Sequence, residues 1–546
     1  MRFTVISPTR ALPKVNQATW FLVQDSWDDY GFKTLYHLHF VTPDSSTNVG
    51  AVKILRQGQI DFDHTRIDED FDALDHRYAS VGQSLDYYEH LAAMGAVTRD
   101  TILTALNDIV KNPEDRSRFE SEKGWRKSLF RDQESATISE FLALAGSLIS
   151  GDYTSLPAEE LKFSFQLTDW EKPVDFDFTK GVDSFEFLTI SSNPLPDRVI
   201  ALIGRNGSGK STVLARLSRV AFGTAEQRSA GAFDNLGSIE PKGIGFPRII
   251  AVSYSAFDSF ALPGIAPRSV DSTDEREQIV QDVRRGEGRY IFCGLRDIAS
   301  ELKAKIQQSA SIEEPLDRVH KTLLKSITEL ATEFGNTLSL IERRNRVDDL
   351  RAAFNIIATD PSVAFLGEEY ILQKLVPEKA EAAFVEWSTG QKIVAQIVAS
   401  LVAHMTPRSL LLLDEPEMHL HPPLVATLMH AIRSLLCKYK GFAIIATHSP
   451  VVLQETLAKH VYIVRREEAA TKVSKPAVQT FGENVGYLTS EVFGVNSQVT
   501  DFHRTLDMLI KKNKSIESIE DLFKPDGLSL MARAYVMSQL AAQGNS

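Results

Sequence analysis

The fold of this chain is decided by the stretch Arg198-Val-Ile-Ala-Leu-Ile-Gly-Arg-Asn-Gly-Ser-Gly-Lys-Ser-Thr212. Its apolar, β-branched start predicts a buried strand over 199–203, and the periodicity of 213–220 predicts a helix. Between the two stands the pattern G-x-x-x-x-G-K-[ST], which binds phosphate when a strand precedes it and a helix follows it. Backbone N–H groups at the glycines and the positive end of the helix then surround phosphate oxygens. We therefore expect a nucleotide-phosphate site here.

Nine residues of this stretch are the expected nucleotide contacts. They are Gly204, Arg205, Asn206, Gly207, Ser208, Gly209, Lys210, Ser211 and Thr212. In this motif the lysine reaches the terminal phosphates and the hydroxyl that follows it contacts Mg²⁺. Lys210 is therefore a predicted phosphate-binding and catalytic residue, and Ser211 is a predicted Mg²⁺ ligand.

A second apolar run, Arg408-Ser-Leu-Leu-Leu-Leu-Asp-Glu415, ends in two acids. A strand that is buried on both faces of a parallel sheet has this continuous apolar character. Asp414 stands where a carboxylate is needed to hold Mg²⁺, and Glu415 stands where a base can polarise a water against the γ-phosphate. The expected ligands are therefore ATP and Mg²⁺.

Two further stretches complete a set of four motifs. Ser388-Thr-Gly-Gln391 precedes a helical run over 393–404, and the apolar strand 442–447 leads to His448. In this order the motifs resemble those of ABC-type ATPases, with Ser388-Thr-Gly-Gln391 as the signature motif and His448 as the switch histidine. The run Asp414-Glu-Pro-Glu-Met-His-Leu-His-Pro422 is similar to that of the RecF, overcoming-lysogenization-defect and structural-maintenance-of-chromosomes groups.

The resemblance implies a mechanism in which two subunits sandwich two ATP molecules head to tail. Ser388, Gly390 and Gln391 would then complete the site of the partner subunit, and Glu415 and His448 would act on the γ-phosphate. A plain helix cap is the alternative for the signature serine, since serine favours that position. One position departs from the family, because the glutamine that usually follows the second strand is absent from Ser253-Tyr-Ser-Ala-Phe-Asp258. Ser255 and Asp258 are the candidates to replace it.

The expected fold class is α/β, an ABC-type P-loop ATPase core with an N-terminal β-rich lobe, helical insertions and a short helical arm. The predicted parts are an N-terminal lobe (1–197) with a helical insertion (about 68–157), the P-loop half of the core (198–265), the arm (266–384), the second half of the core (385–465) and a C-terminal helical partner-docking segment (466–546). Within the arm, apolar residues from Leu316 to Phe334 predict a helix that ends at Gly335. A basic spot at Arg343, Arg344 and Arg346 favours a solvated helix end, with nucleic-acid contact as the alternative.

A narrower resemblance lies outside the ATP motifs. Ser80–Glu89, Ser253–Asp258, Tyr290–Arg296 and Thr480–Val485 resemble the PtuA family of ATPases from Septu-type antiphage defence, which also occur beside some retron reverse transcriptases. That family implies a separate HNH nuclease (PtuB-like) as partner and, in retron versions, a reverse transcriptase carrying multicopy single-stranded DNA (msDNA). It also implies a homodimer or higher oligomer built through the ATP sandwich and arm contacts.

Composition narrows the function classes. The 546 residues carry a net charge of −12, so nucleic acid is not attracted broadly and contact would need a local basic patch. No apolar run approaches the roughly 20 residues of a membrane span, and the start lacks the apolar stretch of a signal peptide. Only two cysteines occur, which fits a reducing compartment. We expect a cytoplasmic protein with no membrane partner.

Three other functions remain to be weighed. A nuclease with a Toprim domain needs an Asp-x-Asp pair, and none follows His448. A transporter ATPase subunit is disfavoured, because such subunits are about half this length and the 414–422 run differs from theirs. A RecF-like DNA repair ATPase without a toxin role remains the alternative to the defence function, since the nucleotide motifs do not separate the two.

Overall fold

The protein is described by a computed structural model in which the chain forms two compact units, Met1–Phe481 and Gly482–Ser546. The described residues are 1–7, 12–26, 28–43, 46–61, 65–152, 160–179, 195–263, 282, 286, 288–307, 317–319, 321–367, 377–467, 470–493, 501–512 and 515–544. Among these residues no helix is long and apolar enough to cross a membrane. The predicted α/β class is confirmed, since parallel sheet and helices alternate along the core of the first unit.

The N-terminal lobe is a six-stranded sheet covered by helices. Its strands are β1 (Phe3–Ile6), β2 (Thr19–Gln24), β3 (Leu35–Val41), β4 (Ser46–Arg56), β5 (Asp70–Phe71) and β6 (Tyr78–Gly82). Its helices are α1 (Leu85–Ala93), α2 (Ala96–Ala105), α3 (Arg116–Phe119) and α4 (Ser135–Ser150). The strand order is β5-β1-β2-β3-β4-β6, and β3 and β4 form an antiparallel pair. The helices bury their apolar faces against this sheet in one core.

The nucleotide core contains a three-stranded sheet and a seven-stranded sheet. The strands are β7 (Lys162–Leu167), β8 (Val174–Asp177), β9 (Val199–Ile203), β10 (Gly237–Glu240), β11 (Ile249–Ser253), β12 (Tyr290–Gly294), β13 (Leu410–Asp414), β14 (Phe442–Thr447), β15 (Val461–Glu467) and β16 (Ala470–Ser474). The small sheet has the order β10-β7-β8, and the large sheet has the order β12-β11-β13-β14-β9-β15-β16. All pairs of the large sheet are parallel except β15–β16. The strands β9, β11, β13 and β14 are apolar up to their last residue because helices cover both faces.

The helices of the core follow the strands that they cover. They are α5 (Lys210–Phe222), α6 (Ala225–Ser229), α7 (Ile298–Gln307), α8 (Ile327–Arg343), α9 (Val347–Ile357), α10 (Pro377–Glu386), α11 (Thr389–His404), α12 (Pro422–Tyr439) and α13 (Pro450–Gln454). The second unit consists of α14 (Val485–Phe493), α15 (Asp501–Lys512), α16 (Ile516–Glu520) and α17 (Leu530–Gly544). Leu506, Ile510, Ile519 and Val536 form the small apolar core of that unit.

The predicted arm differs from the structure in two respects, and one residue of its predicted helix lies outside the described residues. Residues 266–384 return to the sheet as β12, which pairs in parallel with β11, so they are not purely helical. The helix predicted to end at Gly335 instead begins at Ile327 and continues to Arg343, because Ser326 and Glu329 form a capping box at its start. Leu316, the first residue of that predicted helix, lies outside the described residues.

Two other predictions also need correction in part. Arg343 and Arg344 are exposed at the end of α8, as predicted, whereas Arg346 is half-buried. Arg344 and Arg346 also donate to the last carbonyls of α11, Arg344 to Ala403 O at 2.7 Å and Arg346 to Val402 O at 2.8 Å. The C-terminal unit begins at Gly482 rather than 466, since β15 and β16 extend the large sheet to Ser474.

A buried ionic cluster ties the N-terminal lobe to the nucleotide core. The Lys53 ammonium on β4 is fully buried, and it lies 3.3 Å from the Asp29 carboxylate and 3.5 Å from the Glu226 carboxylate of α6. It also donates to Ser128 O at 2.7 Å. Arg131 pairs with both acids, so the two cations and two anions balance. Since α6 directly follows the helix of the phosphate motif, this cluster fixes that helix against the lobe.

Replacing Lys53 by methionine should lower the free energy of unfolding of the first unit by about 3–5 kcal/mol, because one buried carboxylate loses its counter-ion. Urea unfolding followed by circular dichroism measures the change. Lys123→Met, at an exposed position of the same lobe, is the control and should change it by less than about 0.5 kcal/mol. Equal effects of the two substitutions would show that the buried cluster contributes nothing special.

Candidate functional site

The phosphate motif forms the predicted strand, loop and helix. β9 is buried along its whole length, the loop follows it, and α5 begins at Lys210. Gly209 has a φ of +99°, a backbone conformation that favours glycine. A Cβ at Gly204 would lie 2.1 Å from Val464 O of β15, so only glycine fits the close approach of the loop to its neighbouring strand.

The lysine of the motif folds back and donates hydrogen bonds to carbonyls of its own loop. Lys210 Nζ donates to Gly204 O at 2.9 Å and to Arg205 O at 3.2 Å. Burial lowers the pKa of Lys210, and the nearby Glu415, Asp414 and Glu417 carboxylates oppose that shift. Ser208 Oγ is buried and has no hydrogen-bond partner among the described residues. A loop that holds an unpartnered hydroxyl and a lysine bonded only to loop carbonyls fits a phosphate group.

The predicted metal ligands meet across the sheet. Ser211 Oγ at the start of α5 donates to Asp414 Oδ1 at 2.8 Å, although 203 residues separate them. Burial is the main cause that raises the pKa of Asp414 to about 7, and the neighbouring Glu415 and Asp258 carboxylates add to the shift. A cation placed between the Ser211 and Asp414 oxygens would offset the free-energy cost of burying the Asp414 carboxylate. The two residues therefore fit a hard, oxygen-preferring ion such as Mg²⁺.

A cavity of about 50 Å³ lies beside Asp414. Its lining distinguishes Ser255 from Asp258, the two candidates for the position of the missing glutamine. Its polar lining includes Ser211, Ser253, Asp258 and Asp414, and Ser253 Oγ is buried without a partner among the described residues. Ser255 Oγ instead accepts the N–H of Phe257 at 3.2 Å in a local turn. Of the two candidates, Asp258 is therefore the one that lines the same cavity as Asp414.

Asp258 is held from behind by a buried arginine. Arg296 is 1% exposed and lies 3.4 Å from Asp258 Oδ1. The same guanidinium donates to Glu301 Oε2 at 2.6 Å and to Phe260 O at 2.8 Å. Glu301 Oε1 in turn accepts the N–H of Leu323, just before α8. Arg296 lies in one of the family-like stretches, but its contact with Asp258 joins residues 38 positions apart, which no local pattern contains.

The predicted base and switch histidine form a pair. Glu415 has a φ of +48° and donates its backbone N–H to Ala446 O of β14 at 2.8 Å. His448 Nδ1 lies 3.4 Å from Glu415 Oε1. The hydrogen bond between them lowers the pKa of Glu415 and raises the pKa of His448, so the carboxylate–imidazolium form is favoured. The strained backbone of Glu415 turns its side chain towards the strand end that carries His448.

The sequence analysis missed one acid of this site. Glu417 Oε1 accepts Thr447 Oγ1 at 2.7 Å and the backbone N–H of His448 at 2.8 Å, and it lies 3.3 Å from His448 Nδ1. Its side chain is 7% exposed. The sequence contains this acid as the second glutamate of Asp-Glu-Pro-Glu, but that run was interpreted only as a family resemblance.

The signature motif stands apart from these groups on the surface of the chain. Ser388 caps α11 in a capping box, with its backbone N–H donating to Gln391 Oε1 at 2.8 Å. Gln391 Nε2 donates to Ser362 O at 2.8 Å, and a Cβ at Gly390 would lie 3.3 Å from His419 O. Trp387 packs against the Phe334 ring of α8 and so fixes the start of α11. Ser388 is exposed, so its hydroxyl is accessible to a second molecule.

Two of the four stretches of the narrower resemblance, Ser80–Glu89 and Tyr290–Arg296, are largely internal. Tyr87 and Tyr88 are fully buried in the N-terminal lobe, and Cys293 and Arg296 are buried at β12 and its end. Thr480 is buried as well and donates to Thr456 O. The other two stretches carry exposed aromatic side chains as well, since Phe257 is 90% exposed and Phe481 is 40% exposed.

Comparison with known proteins places the chain at family level. A family described as "AAA domain, putative AbiEii toxin, Type IV TA system" matches residues 295–454, which contain the second half of the nucleotide core. Solved structures that overlap include a putative metal-chelate type ABC transporter (15% identity, 58% of this chain and 84% of that chain, TM-score 0.25). Another is the Smc head domain of Pyrococcus furiosus bound to the C-terminal domain of ScpA (13% identity, 58% and 96%, TM-score 0.24).

TM-scores this low carry no argument about the fold. The description of the nucleotide core therefore rests on the phosphate loop and the sheet order. The chain carries a P-loop core in which the phosphate-loop strand and the Asp414 strand are separated by the histidine strand. Protein ea59 of Escherichia phage lambda is 30% identical over 540 residues, which cover 95% of this chain and 94% of that protein. With identity of this extent along both chains, this protein belongs to the same family as ea59 of phage lambda.

Proposed function

We propose that this chain binds ATP with Mg²⁺, hydrolyses it to ADP and phosphate, and acts as the regulatory ATPase of an antiphage defence complex. One observation carries the ATPase part: Lys210, Ser211, Asp414, Glu415 and His448 meet at one edge of a parallel sheet. The carboxyl ends of parallel strands are the usual position of ligand sites in α/β proteins.

The metal side of the proposed site consists of oxygen ligands. Ser211 and Asp414 would hold Mg²⁺, and Asp258 would face it from the loop after β11. Bound Mg²⁺ supplies positive charge to the phosphate oxygens and so stabilises charge that develops during transfer. Arg296 keeps Asp258 in place, so the metal side is connected by hydrogen bonds to the segment before α8.

Glu415 and Lys210 perform complementary parts of the hydrolysis. The Glu415 carboxylate accepts a proton from water while the water oxygen bonds to the γ-phosphorus. The bond from that phosphorus to the β–γ bridging oxygen breaks, and ADP leaves with the electron pair. Lys210 exchanges its loop carbonyls for phosphate oxygens, which offsets the charge on the leaving group.

The proposed dimer explains why the signature motif is exposed. Ser388, Gly390 and the positive end of α11 would complete the nucleotide site of a second copy, since a helix N-terminus favours negative charge. ATP would then favour the closed arrangement because only that arrangement offers the signature contact. Hydrolysis removes the γ-phosphate and loosens the dimer.

The defence role is supported by the PtuA-like stretches and by the description of the matched family as a putative toxin of a type IV toxin–antitoxin system. In this proposal a separate HNH nuclease docks on the ATPase, with a reverse transcriptase and its msDNA added in a retron version. The C-terminal unit, which exposes Leu530 and Met531, is the proposed docking segment. ATP hydrolysis would switch the nuclease between silent and active arrangements.

Glu415→Gln should lower ATP hydrolysis by about 10²- to 10⁴-fold, because the water loses its base. Nucleotide binding should remain, since the amide keeps the size of the side chain. Lys210→Ala should weaken binding of a fluorescent ATP analogue at least tenfold, or about 1.4 kcal/mol. Phosphate release and fluorescence titration measure the two effects, and hydrolysis at the wild-type rate in Glu415→Gln contradicts the assignment of the base.

Asp258→Asn should weaken binding of the divalent ion about tenfold in the presence of ATP, because a carboxylate that faces the metal is lost. Electron paramagnetic resonance with Mn²⁺ as the probe measures free and bound ion directly. Ser255→Ala is the matched control and should leave Mn²⁺ affinity unchanged, since Ser255 Oγ bonds only locally among the described residues. Equal affinities in the wild type and Asp258→Asn would remove Asp258 from the metal side.

Coexpression with the products of neighbouring genes tests the defence role. We expect a nuclease to copurify with the chain and phage protection to disappear in Lys210→Ala and Glu415→Gln, while the isolated chain leaves DNA and tRNA intact. Protection that both substitutions leave unchanged contradicts the switch. Failure to copurify with any nuclease favours the RecF-like repair function instead.

A further inference from the structure

A second glutamate, Glu417, lies next to the switch histidine, His448. Glu417 stands in the loop after β13, and its Oε1 accepts Thr447 Oγ1 and the backbone N–H of His448. These two bonds join the loop after β13 to the end of β14. The position of the histidine relative to Glu415 is therefore set partly by Glu417.

The charge of Glu417 needs a separate explanation. The bonds from Thr447 and the His448 backbone require only an acceptor, which the oxygen of a glutamine would offer equally well. Burying a carboxylate costs several kcal/mol unless it is paired. Its Oε2 is buried and has no hydrogen-bond partner among the described residues, so hydrogen bonding does not repay the cost. The nearby cations that offset the cost are the His448 ring, with Nδ1 3.3 Å from Glu417 Oε1, and Lys210, whose pKa is lowered by burial and raised by the nearby carboxylates, Glu417 among them.

The charges around the ring are unequal. His448 is faced by two acids, Glu415 and Glu417, and by one cation, Lys210. If Glu415 were the sole counter-ion, pairing with an imidazolium would lower its ability to accept a proton. With Glu417 sharing the positive charge, one negative charge remains for Glu415. Glu417 thus holds the histidine, and Glu415 remains available to act as the base.

We propose that Glu417 is a positioning residue for ATP hydrolysis: it holds His448 as an imidazolium with Nδ1 towards the two carboxylates, which leaves Nε2–H for the γ-phosphate. The inference rests on the proposed function, since His448 meets a γ-phosphate only if the chain binds ATP. Glu417 itself does not touch the reacting atoms in this account. It acts through the orientation and charge of the ring.

The charge on His448 can be measured without nucleotide. Carbon-13 labelling of the histidine rings, with His448→Gln to assign the signal, gives its pKa by NMR titration. In the wild type we expect a value above 6.5, because both carboxylates favour the charged ring. Glu417→Gln should lower it by about one to two pH units. Glu455→Gln, which removes a carboxylate paired with Arg433 outside the site, should leave it unchanged.

Kinetics give the second readout. In Glu417→Gln we expect kcat to fall about tenfold or more with little change in KM, and the basic limb of the kcat–pH profile to move to lower pH. Thr447→Val removes one bond to Glu417 but keeps the charge, so it should retain the raised pKa of His448 and most of kcat. If Glu417→Gln does not fold, Thr447→Val provides the test. A loss of the raised His448 pKa in Thr447→Val would show that Glu417 only maintains the structure of the loop.

The outcomes separate the two proposals. An unchanged His448 pKa in Glu417→Gln overturns the role of Glu417 and leaves the ATPase proposal intact. A wild-type chain that binds no ATP contradicts the proposed function, and with it the catalytic part of this inference, whatever the titration gives. A lowered pKa together with an unchanged kcat also overturns the positioning role.

Discussion

Parallel pairing of β11, β13, β14 and β9 is the constraint on which the nucleotide site depends. Because the strands run in the same direction, their carboxyl ends lie at one edge, and each end carries a polar group of the site. The histidine strand lies between the phosphate-loop strand and the Asp414 strand, so His448 stands between the phosphate loop and Glu415. A shift of one register position would reverse the faces of these apolar strands and separate the groups.

The sequence predicted the groups that stand at strand ends or in the loop and helix that follow. Asp414 ends an apolar strand, His448 directly follows one, and Lys210 begins the helix after the phosphate loop. Parallel pairing brings these ends together. Glu417 was missed because its role depends on a hydrogen bond to the next strand along the sheet, which no local pattern contains. The choice between Ser255 and Asp258 likewise needed the fold, since a buried arginine from after β12 selects one of them.

Tertiary packing overrode local patterns in the other differences. The apolar spacing before Ile327 resembles a helix, yet a capping box at Ser326 sets the start of α8. The arginines after α8 look like a basic surface, yet carbonyls at the end of α11 engage Arg344 and Arg346. The narrower family stretches combine buried residues such as Tyr87 and Arg296 with the exposed rings of Phe257 and Phe481, which no local pattern distinguishes.

The central claim is that one copy of the chain completes the nucleotide site of another, and mixing two inactive variants tests it most directly. Lys210→Ala lacks a functional phosphate loop, and Ser388→Arg lacks a functional signature motif, so each alone should be inactive. In an equal mixture half of the dimers are mixed and each restores one of two sites, which predicts about a quarter of wild-type ATP hydrolysis. A mixture as inactive as its two components would contradict a site shared between two copies.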